Sequence, residues 1–255
     1  MQPGSTRLPR PRWIFLAAVL VFMAFAGLSW WSGREAIRET RRLGGFYHAG
    51  QVFGAVDPLA IDAMVDQVHF QDRPIPDDYL DQFARRFRNV SVLSLNNCQI
   101  SETGLSHLRR APTLKSLILG KCDVTDAAGD ILKDLTQLGE LELKETKVTD
   151  ATVLQLGTLT RLNYLGLSHT GVGDAGIEVL GKLTNLHSLD LSQTGLTDKG
   201  LDKLPGLVPR LYFLNIDGTK VTPEGVARFR TAFKGRLVEP TRYTVTPGAA
   251  GAAPP

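Results

Sequence analysis

Cysteine and histidine are the residues of this 255-residue chain best suited to bind a metal ion or to act in catalysis. There are two cysteines, Cys98 and Cys122, and five histidines, His48, His69, His107, His169 and His187. No two histidines are four positions apart and no His-Glu-x-x-His motif occurs, so the sequence predicts no metal site. A Gly-rich phosphate loop and the Gly-x-Ser-x-Gly motif of serine hydrolases are also missing. The sequence therefore predicts neither an enzyme nor a bound cofactor.

The distribution of charge argues against a nucleic-acid partner. The chain carries 29 Lys and Arg against 26 Asp and Glu, a net charge of +3. Residues 1–42 hold seven arginines and two glutamates, whereas residues 43–255 hold 22 basic and 24 acidic residues. The body of the protein is therefore slightly acidic and lacks the basic surface that binding to a polyanion requires.

An uncharged segment of 19 residues, Trp13–Trp31, follows a basic tail at residues 1–12. As a helix it would span about 30 Å, the thickness of a bilayer core, and tryptophans mark both of its ends. We predict a single transmembrane anchor that leaves the N-terminus in the cytoplasm and the rest of the chain outside it. The alternative is a signal peptide cleaved after Ala26, which would release a secreted protein.

Residues 32–64 are predicted to form a connector and an N-terminal cap. Gly33–Leu43 is charged and rich in Ala, Glu and Arg, which indicates a short helix, and the two glycines that follow predict its end. Phe46–Phe53 has the aromatic and β-branched residues typical of a strand. At the other terminus, residues 236–255 end in Pro-Gly-Ala-Ala-Gly-Ala-Ala-Pro-Pro, a composition typical of a disordered tail.

The region between them, residues 65–235, contains seven repeats of the pattern L-x-x-L-x-L-x-x-[CT]-x-V-[ST]-[DE]-x-G-[LIV]-x-x-[LF]. The repeats start at Val65, Val90, Leu114, Leu138, Leu162, Leu186 and Leu211, so the period is 24 or 25 residues. Positions 1, 4, 6 and 11 supply 28 sites, and all of them are apolar. The alternation around positions 4 and 6 predicts a short strand with one buried face. Positions 16 and 19 predict the apolar face of a following helix.

Each repeat also carries polar residues at its turn and at the start of its helix. Position 9 is Cys or Thr in repeats two to seven, a small group that can bond to the turn backbone. Pairs such as Thr125-Asp126 and Thr149-Asp150 predict helix N-caps, in which the hydroxyl accepts a hydrogen bond and the acid lies at the positive end of the helix dipole. We expect Asp126 and Thr149 to act only at these caps.

This pattern resembles the leucine-rich repeat family, in the 24-residue form with Cys or Thr at position 9 and V-T-D-x-G-L. The resemblance implies an α/β solenoid in a horseshoe arc, with a parallel sheet on the concave side and helices on the convex side. The layout of basic tail, membrane span, Arg42-Leu43-Gly44-Gly45 and repeats is also similar to membrane-anchored leucine-rich-repeat proteins of planctomycete-type bacteria. Repeat one departs from the pattern at Arg73 and Pro76, and repeat seven departs at Pro223, as expected of units that end a solenoid.

Cys98 and Cys122 occupy position 9 of adjacent repeats. Neighbouring strands would place their Cα atoms about 5 Å apart, which is compatible with a disulfide. Their side chains, however, should point the same way into the core, and this arrangement favours two buried free thiols.

Side chains at positions 3, 5 and 7 should face the concave side, because positions 4 and 6 are buried. The candidate binding residues are the charged and aromatic ones in the second half of the stack: Glu140, Glu142, Lys144, Tyr164, Asp190, Phe213 and Asp217. Exposed rings beside acids suit a protein or peptide partner that carries basic groups. The alternative is that these charges only solvate an exposed sheet.

The sequence thus predicts a membrane-tethered interaction module without catalytic activity. A second hypothesis is a substrate-receptor subunit of a ubiquitin-ligase-like complex, because V-T-D-x-G-L repeats also occur in F-box-type proteins. Residues 34–64 do not resemble an F-box, and a membrane span argues against that role.

Overall fold

The computed structural model describes residues 37–49, 65–87 and 89–233. The predicted anchor at Trp13–Trp31, much of the connector and the predicted tail at residues 236–255 lie outside these ranges. Among the described residues, no helix is both long enough and apolar enough to cross a membrane. The described ranges form one sheet, and a continuous hydrophobic core lies between the sheet and its helices.

The sheet contains eight strands that lie in sequence order. They are β1 (Phe46–Ala49), β2 (Val65–Gln71), β3 (Val92–Asn96), β4 (Ser116–Ile118), β5 (Glu140–Glu142), β6 (Tyr164–Gly166), β7 (Ser188–Asp190) and β8 (Phe213–Asn215). Strand β1 pairs antiparallel with β2, and strands β2 to β8 pair in parallel. Each parallel strand belongs to a different repeat, so the predicted parallel sheet is confirmed.

Short helices connect one strand to the next. The α-helices are α1 (Asp77–Arg86), α2 (Glu102–Ser106), α3 (Gly129–Leu132), α4 (Asp150–Gln155), α5 (Asp198–Leu201), α6 (Leu204–Leu207) and α7 (Pro223–Ala232). Short 3-10 helices lie at His107–Arg110, Asp126–Ala128, Leu156–Thr158 and Gly176–Lys182. An α-helix with its side chains is about 10 Å wide, whereas neighbouring strands lie about 4.8 Å apart. Short and narrow helices therefore suit the middle of the stack, and the two ten-residue helices α1 and α7 occur in the first and last repeats.

The register predicted from the repeat pattern is confirmed along the sheet. Position 3 of three consecutive repeats pairs as Ser116 with Glu140 and Glu140 with Tyr164. Leu141 and Leu165, at position 4, are completely buried, as predicted. All but one of the 28 apolar sites at positions 1, 4, 6 and 11 are buried. Burial of one strand face therefore fixes which side chains point to the opposite face.

The strand of every repeat is followed by a residue in the left-handed conformation at position 8. The six non-glycine residues there have φ between 51° and 62°, and Gly218 has φ of 70°; the six are Asp72, Asn97, Lys121, Glu145, His169 and Gln193. Position 9 then bonds to the turn, as predicted. The hydroxyl of Thr146 donates to the carbonyl of Leu143 at 2.7 Å, and Thr170 repeats this bond one unit further on.

Cys98 and Cys122 are free and buried, as predicted. The Cys122 thiol donates to the carbonyl oxygen of Leu95 at 2.8 Å. Burial raises the pKa of Cys122 to about 12 and also raises the pKa of Cys98 above its ordinary value. Because the thiolate is the reactive form, neither side chain is suited to act as a nucleophile.

The predicted helix caps are present, but the expectation that Asp126 and Thr149 act only at their own caps is wrong. Asp126 Oδ1 accepts hydrogen bonds from the amides of Thr149 and Thr152, at 2.8 and 3.2 Å, and from the Thr152 hydroxyl at 2.6 Å. Asp126 Oδ2 accepts from the Thr149 hydroxyl at 2.7 Å. Adjacent repeats are only one strand spacing apart, so the acid of one repeat reaches the helix start of the next.

The same connection recurs along the stack. Three equivalent carboxylates, Asp150, Asp174 and Asp198, accept hydrogen bonds from the helix start of the following repeat. We call these three residues and Asp126 the carboxylate ladder. Each of these three accepts two such bonds, whereas Asp126 accepts four. The ladder therefore joins neighbouring repeats on the helix side of the sheet.

The glycine pair after the helical residues 37–42 lies against the first repeat. The helix ends there, as predicted, and the Gly45 amide donates to the carbonyl of Thr40 at 2.8 Å. Arg73, where repeat one departs from the pattern, donates from Nη1 to the carbonyl of Leu43 at 2.6 Å. A Cβ added to Gly45 would come within 2.4 Å of the Phe70 ring. The connector is therefore packed on the repeats at this point.

We expect Gly45→Ala to lower the free energy of unfolding by about 1–3 kcal/mol, because the new methyl group would overpack the buried Phe70 ring. Gly206→Ala is the matched control, since a Cβ there would meet no atom within 4 Å. Its expected effect is a stabilisation of at most about 1 kcal/mol. Chemical denaturation followed by circular dichroism measures both values. If the two variants were equally stable, the packing of Gly45 on β2 would be incorrect.

Candidate functional site

The sheet face opposite the helices, here called the open face, carries the predicted binding residues. Glu140 and Glu142 lie two positions apart on β5, so their side chains point to the same face. Tyr164 lies on β6 beside Glu140, and Lys144 follows β5. The parallel register therefore places two acids, one base and one aromatic ring close together.

A groove of about 600 Å³ runs across the open face from β2 to β6. Most of the residues that line it have polar side chains, and the full set is Gln71, Asp72, Asn96, Asn97, Ser116, Ile118, Gly120, Lys121, Glu140, Glu142, Lys144 and Tyr164. Four of the seven predicted binding residues are among them. Asp190 on β7, Phe213 on β8 and Asp217 after β8 lie further along the sheet and do not line this groove.

Glu142 is held in a fixed position at the centre of the groove. Its Oε2 accepts a hydrogen bond from the Tyr164 hydroxyl at 2.6 Å, and its Oε1 accepts one from the amide of Lys144 at 2.9 Å. Gly166 provides the necessary space, since a Cβ there would lie 2.2 Å from Glu142 Oε1. The carboxylate is thus ordered before any partner binds.

Tyr164 differs from its prediction as an exposed ring. It is half-buried, and its hydroxyl donates a hydrogen bond to Glu142. Burial raises the pKa of Tyr164 far above its ordinary value, and the hydrogen bond to Glu142 and the charges of Asp190 and Glu140 raise it further. The phenol therefore stays protonated and remains a hydrogen-bond donor.

The remaining predicted residues are also more enclosed than expected. Phe213 is half-buried rather than exposed. Asp190 Oδ1 accepts hydrogen bonds from the amide and the hydroxyl of Ser192, at 2.9 and 2.7 Å. Asp190 is therefore partly committed to its own turn.

Several groove residues come from the first half of the stack, in which the sequence analysis named no binding residue. Ser116, Ile118 and Gly120 on or after β4 supply part of the floor. Ser116 is the most distinctive, because its side chain is 4% exposed and its Oγ has no hydrogen-bond partner in the part of the chain that the structure describes. The sequence signal that could have identified it is a small hydroxyl at position 3, next to Glu140 in the repeat register.

Two lysines, Lys121 and Lys144, lie at one edge of the groove, where strands β4 and β5 end. Lys121 Nζ lies 3.7 Å from Glu145 Oε2, and Lys144 Nζ lies 3.5 Å from Glu145 Oε1. Both ammonium groups therefore lie near Glu145, which follows β5 in the chain, and they form no ion pair with Glu140 or Glu142 among the described residues. The groove therefore has an acidic floor and a mixed, more basic rim.

The described residues bring no three His, Cys, Asp or Glu side chains together in a way that could hold a metal ion. The floor of the groove accordingly offers two carboxylates, a phenol and a hydroxyl as hydrogen-bonding groups. These groups can bind a cation or a polar chain without a metal.

Comparison with known proteins agrees with the repeat geometry. The family model described as "Leucine Rich repeat" matches residues 110–130 and 182–204. These two stretches are therefore similar to leucine-rich repeats. Each matched stretch begins at the last residue of a 3-10 helix, contains one strand, β4 or β7, and ends in a helix that follows that strand. No curated protein matches the sequence.

Two solved leucine-rich repeat structures, both internalins from Listeria monocytogenes, are similar to this chain. The internalin inlF is 23% identical, with a TM-score of 0.46, and the match covers 58% of this chain and 48% of the internalin. Internalin C2 is 18% identical, with a TM-score of 0.49, and the match covers 72% of this chain and 82% of that protein. The chain thus spans about half of the length of the first internalin. The similarity to planctomycete-type proteins stays a prediction.

Proposed function

We propose that this leucine-rich repeat chain is a membrane-tethered module that binds a protein or peptide partner through its open face, the concave side of the predicted arc. The observation that carries the proposal is the groove across β2 to β6, where ordered polar groups surround a half-buried aromatic ring. Binding sites typically combine such a ring, which anchors the partner, with a few fixed polar groups that orient it. No catalytic step is part of this proposal.

The helix side of the sheet supports this choice by contrast. Several of its charged groups form ion pairs between neighbouring repeats, such as Arg109 with Asp134 at 2.8 Å and Lys203 with Glu178 at 2.6 Å. On the open face, Glu140 is exposed, and the donors that hold Glu142 within the described part of the chain are the neutral Tyr164 hydroxyl and Lys144 amide. The open face therefore keeps more charge available for a partner with basic groups.

The proposed tether rests on the uncharged segment Trp13–Trp31. Only residues 32–36 separate it in sequence from the helical residues 37–42. Those helical residues are packed on the repeats through Ile37 and Thr40, and the Thr40 hydroxyl lies 2.7 Å from the Tyr79 hydroxyl. A short link to a packed helix would keep the repeats close to the membrane surface, outside the cytoplasm in the proposed orientation.

If Trp13–Trp31 is a retained anchor, the mature protein should stay in the membrane fraction after a carbonate wash. Its intact mass should include the arginines at positions 7, 10 and 12. Recovery of a soluble species that begins at Gly27 would instead establish cleavage of a signal peptide and a secreted protein. Leu20→Arg is the control, since a charged side chain within the span should weaken membrane retention.

The partner can be captured by proximity labelling from the intact anchored protein, and its binding to the purified chain can be measured by surface plasmon resonance. Tyr164→Ala and Phe213→Ala should raise the dissociation rate by roughly tenfold or more, because they remove anchoring rings. Charge reversal by Glu140→Lys should mainly lower the association rate, most strongly at low salt.

Two substitutions on the helix side serve as matched controls for these variants. Leu154→Ala removes an exposed apolar side chain, and Glu178→Lys reverses an exposed charge. Neither should change binding. The opposite pattern, with binding lost in the helix-side variants and intact in the open-face variants, would refute the proposed site.

A further inference from the structure

The floor of the groove contains a buried hydroxyl that lacks a hydrogen bond. Ser116 is 4% exposed, and its Oγ has no partner among the described residues. A buried polar group without a hydrogen-bond partner destabilises the folded state, and such groups are rare in folded proteins. Ser116 points into the groove beside Glu140, so a group of a bound partner could supply the missing bond.

Ser116, Glu140 and Glu142 place three acceptors around one part of the floor. Ser116 and Glu140 are directly paired on adjacent strands, about 4.8 Å apart. Glu142 lies two residues beyond Glu140 on the same face, a separation of about 6.6 Å along the strand. Each oxygen of Glu142 already accepts one hydrogen bond and keeps a second lone pair. The three acceptors therefore surround a space several ångströms across.

We infer that this part of the groove binds an arginine side chain of the partner, an inference that rests on the proposed open-face binding. A guanidinium carries five N–H donors in a planar fork and can reach separated acceptors at once, whereas an ammonium presents its three donors from a single nitrogen. Glu140 and Glu142 supply the opposite charge, and Ser116 accepts a further N–H. The side chain of Ile118 and the ring of Tyr164 border the same space and can pack on the aliphatic stem.

The lysines of the groove leave this acidic floor intact. Lys121 and Lys144 both lie near Glu145, at 3.7 and 3.5 Å, at the strand ends. No ion pair joins either lysine to Glu140 or Glu142 among the described residues. An arginine that enters near Ser116 therefore meets the two carboxylates rather than the ammonium groups.

The test uses the full chain and a set of capped pentapeptides that carry one variable residue between pairs of glycines. The variable residue is arginine, lysine or citrulline, which has the shape of arginine without its charge. Saturation-transfer NMR gives the dissociation constant of each peptide. The arginine peptide should bind at least about tenfold more tightly than the citrulline peptide, and also more tightly than the lysine peptide. Equal binding of the arginine and citrulline peptides, or no saturable binding of the arginine peptide, would overturn the inference.

Substitutions in the chain locate the site. Glu140→Gln and Ser116→Ala should each weaken arginine-peptide binding by about three- to tenfold, since each removes an acceptor for the charged ligand. Ser116→Ala should not lower the melting temperature, because it removes an unsatisfied buried hydroxyl, and this separates lost binding from misfolding. Glu178→Gln, on the helix side, is the matched control and should bind like the wild type. If Ser116→Ala and Glu140→Gln both bind like the wild type, the inference fails.

The outcome is separable from that of the proposed function. If the captured partner depends on Tyr164 and Glu140 while the peptides show no preference for arginine, the open-face site stands and the arginine inference is wrong. If the peptides prefer arginine while the captured partner depends only on helix-side residues, the proposed function is wrong and the arginine subsite stands.

Discussion

Replacing Leu141 with alanine should lower the free energy of unfolding by about 2–5 kcal/mol. Leu141 is completely buried on β5, with Leu117 and Leu165 directly beside it on the adjacent strands. The sheet continues on both sides, so its neighbours cannot move inward to fill the space that the substitution leaves. Urea denaturation of the wild type and the variant measures the difference.

The matched control is the same substitution at Leu154, which is 53% exposed on α4. Removing this side chain creates no cavity, and the expected change is within about 0.5 kcal/mol. Similar losses for Leu141→Ala and Leu154→Ala would show that the assigned strand register is incorrect, because burial would then not distinguish the two sites.

The variant Asp126→Ala should lose about 2–4 kcal/mol at neutral pH, since a carboxylate that accepts four hydrogen bonds is removed and its donors are left in a partly buried site. Asp123→Ala, three residues away, is the control. Asp123 is largely exposed, and its one ion pair among the described residues is with Lys147 at 2.6 Å. Loss of such a surface pair should cost about 0–1 kcal/mol. Equal losses would mean that Asp126 does not connect the two repeats.

The effect of Asp126 should also depend on pH. Burial alone would raise the pKa of Asp126, but hydrogen bonds from Thr149 and Thr152 outweigh it and lower the pKa below its ordinary value. A lowered pKa in the folded state means that the stabilisation is complete above the unfolded-state pKa of about 3.9 and is lost as the pH falls through the folded-state value. The difference in stability between wild type and Asp126→Ala should therefore be constant from neutral pH to about pH 5 and shrink below pH 4.

Much of the fold could be predicted because burial imposes a strict period on the sequence. The alternation of apolar residues around Leu141 and Leu143 fixes one strand face, and a fixed repeat length then aligns Ser116, Glu140 and Tyr164 across three strands. The left-handed residue at position 8 could not be predicted in the same way. Six different residue types occupy it before Gly218, because the turn constrains the backbone and leaves the side chain free.

The candidate site could be predicted only in part, for a different physical reason. Charge and aromatic character identified Glu140, Glu142 and Tyr164 from their positions in the repeat. The depth of the groove depends on small residues such as Ser116 and Gly120, which carry no chemical signal until the side chains around them are placed. The four hydrogen bonds of Asp126 could not be predicted either, because they depend on the distance between two repeats rather than on the composition of either repeat.

The carboxylate ladder also bears on the rigidity of the groove. In a linear array of repeats, stability is approximately a sum of terms for each unit and for each contact between neighbouring units. The contact with the most ladder bonds joins the repeats of β4 and β5 through Asp126, directly behind the groove. The terminal repeats should therefore fray before these central repeats open. The binding surface would stay preorganised while the ends of the solenoid open and close, so a partner would bind without paying for the ordering of its site.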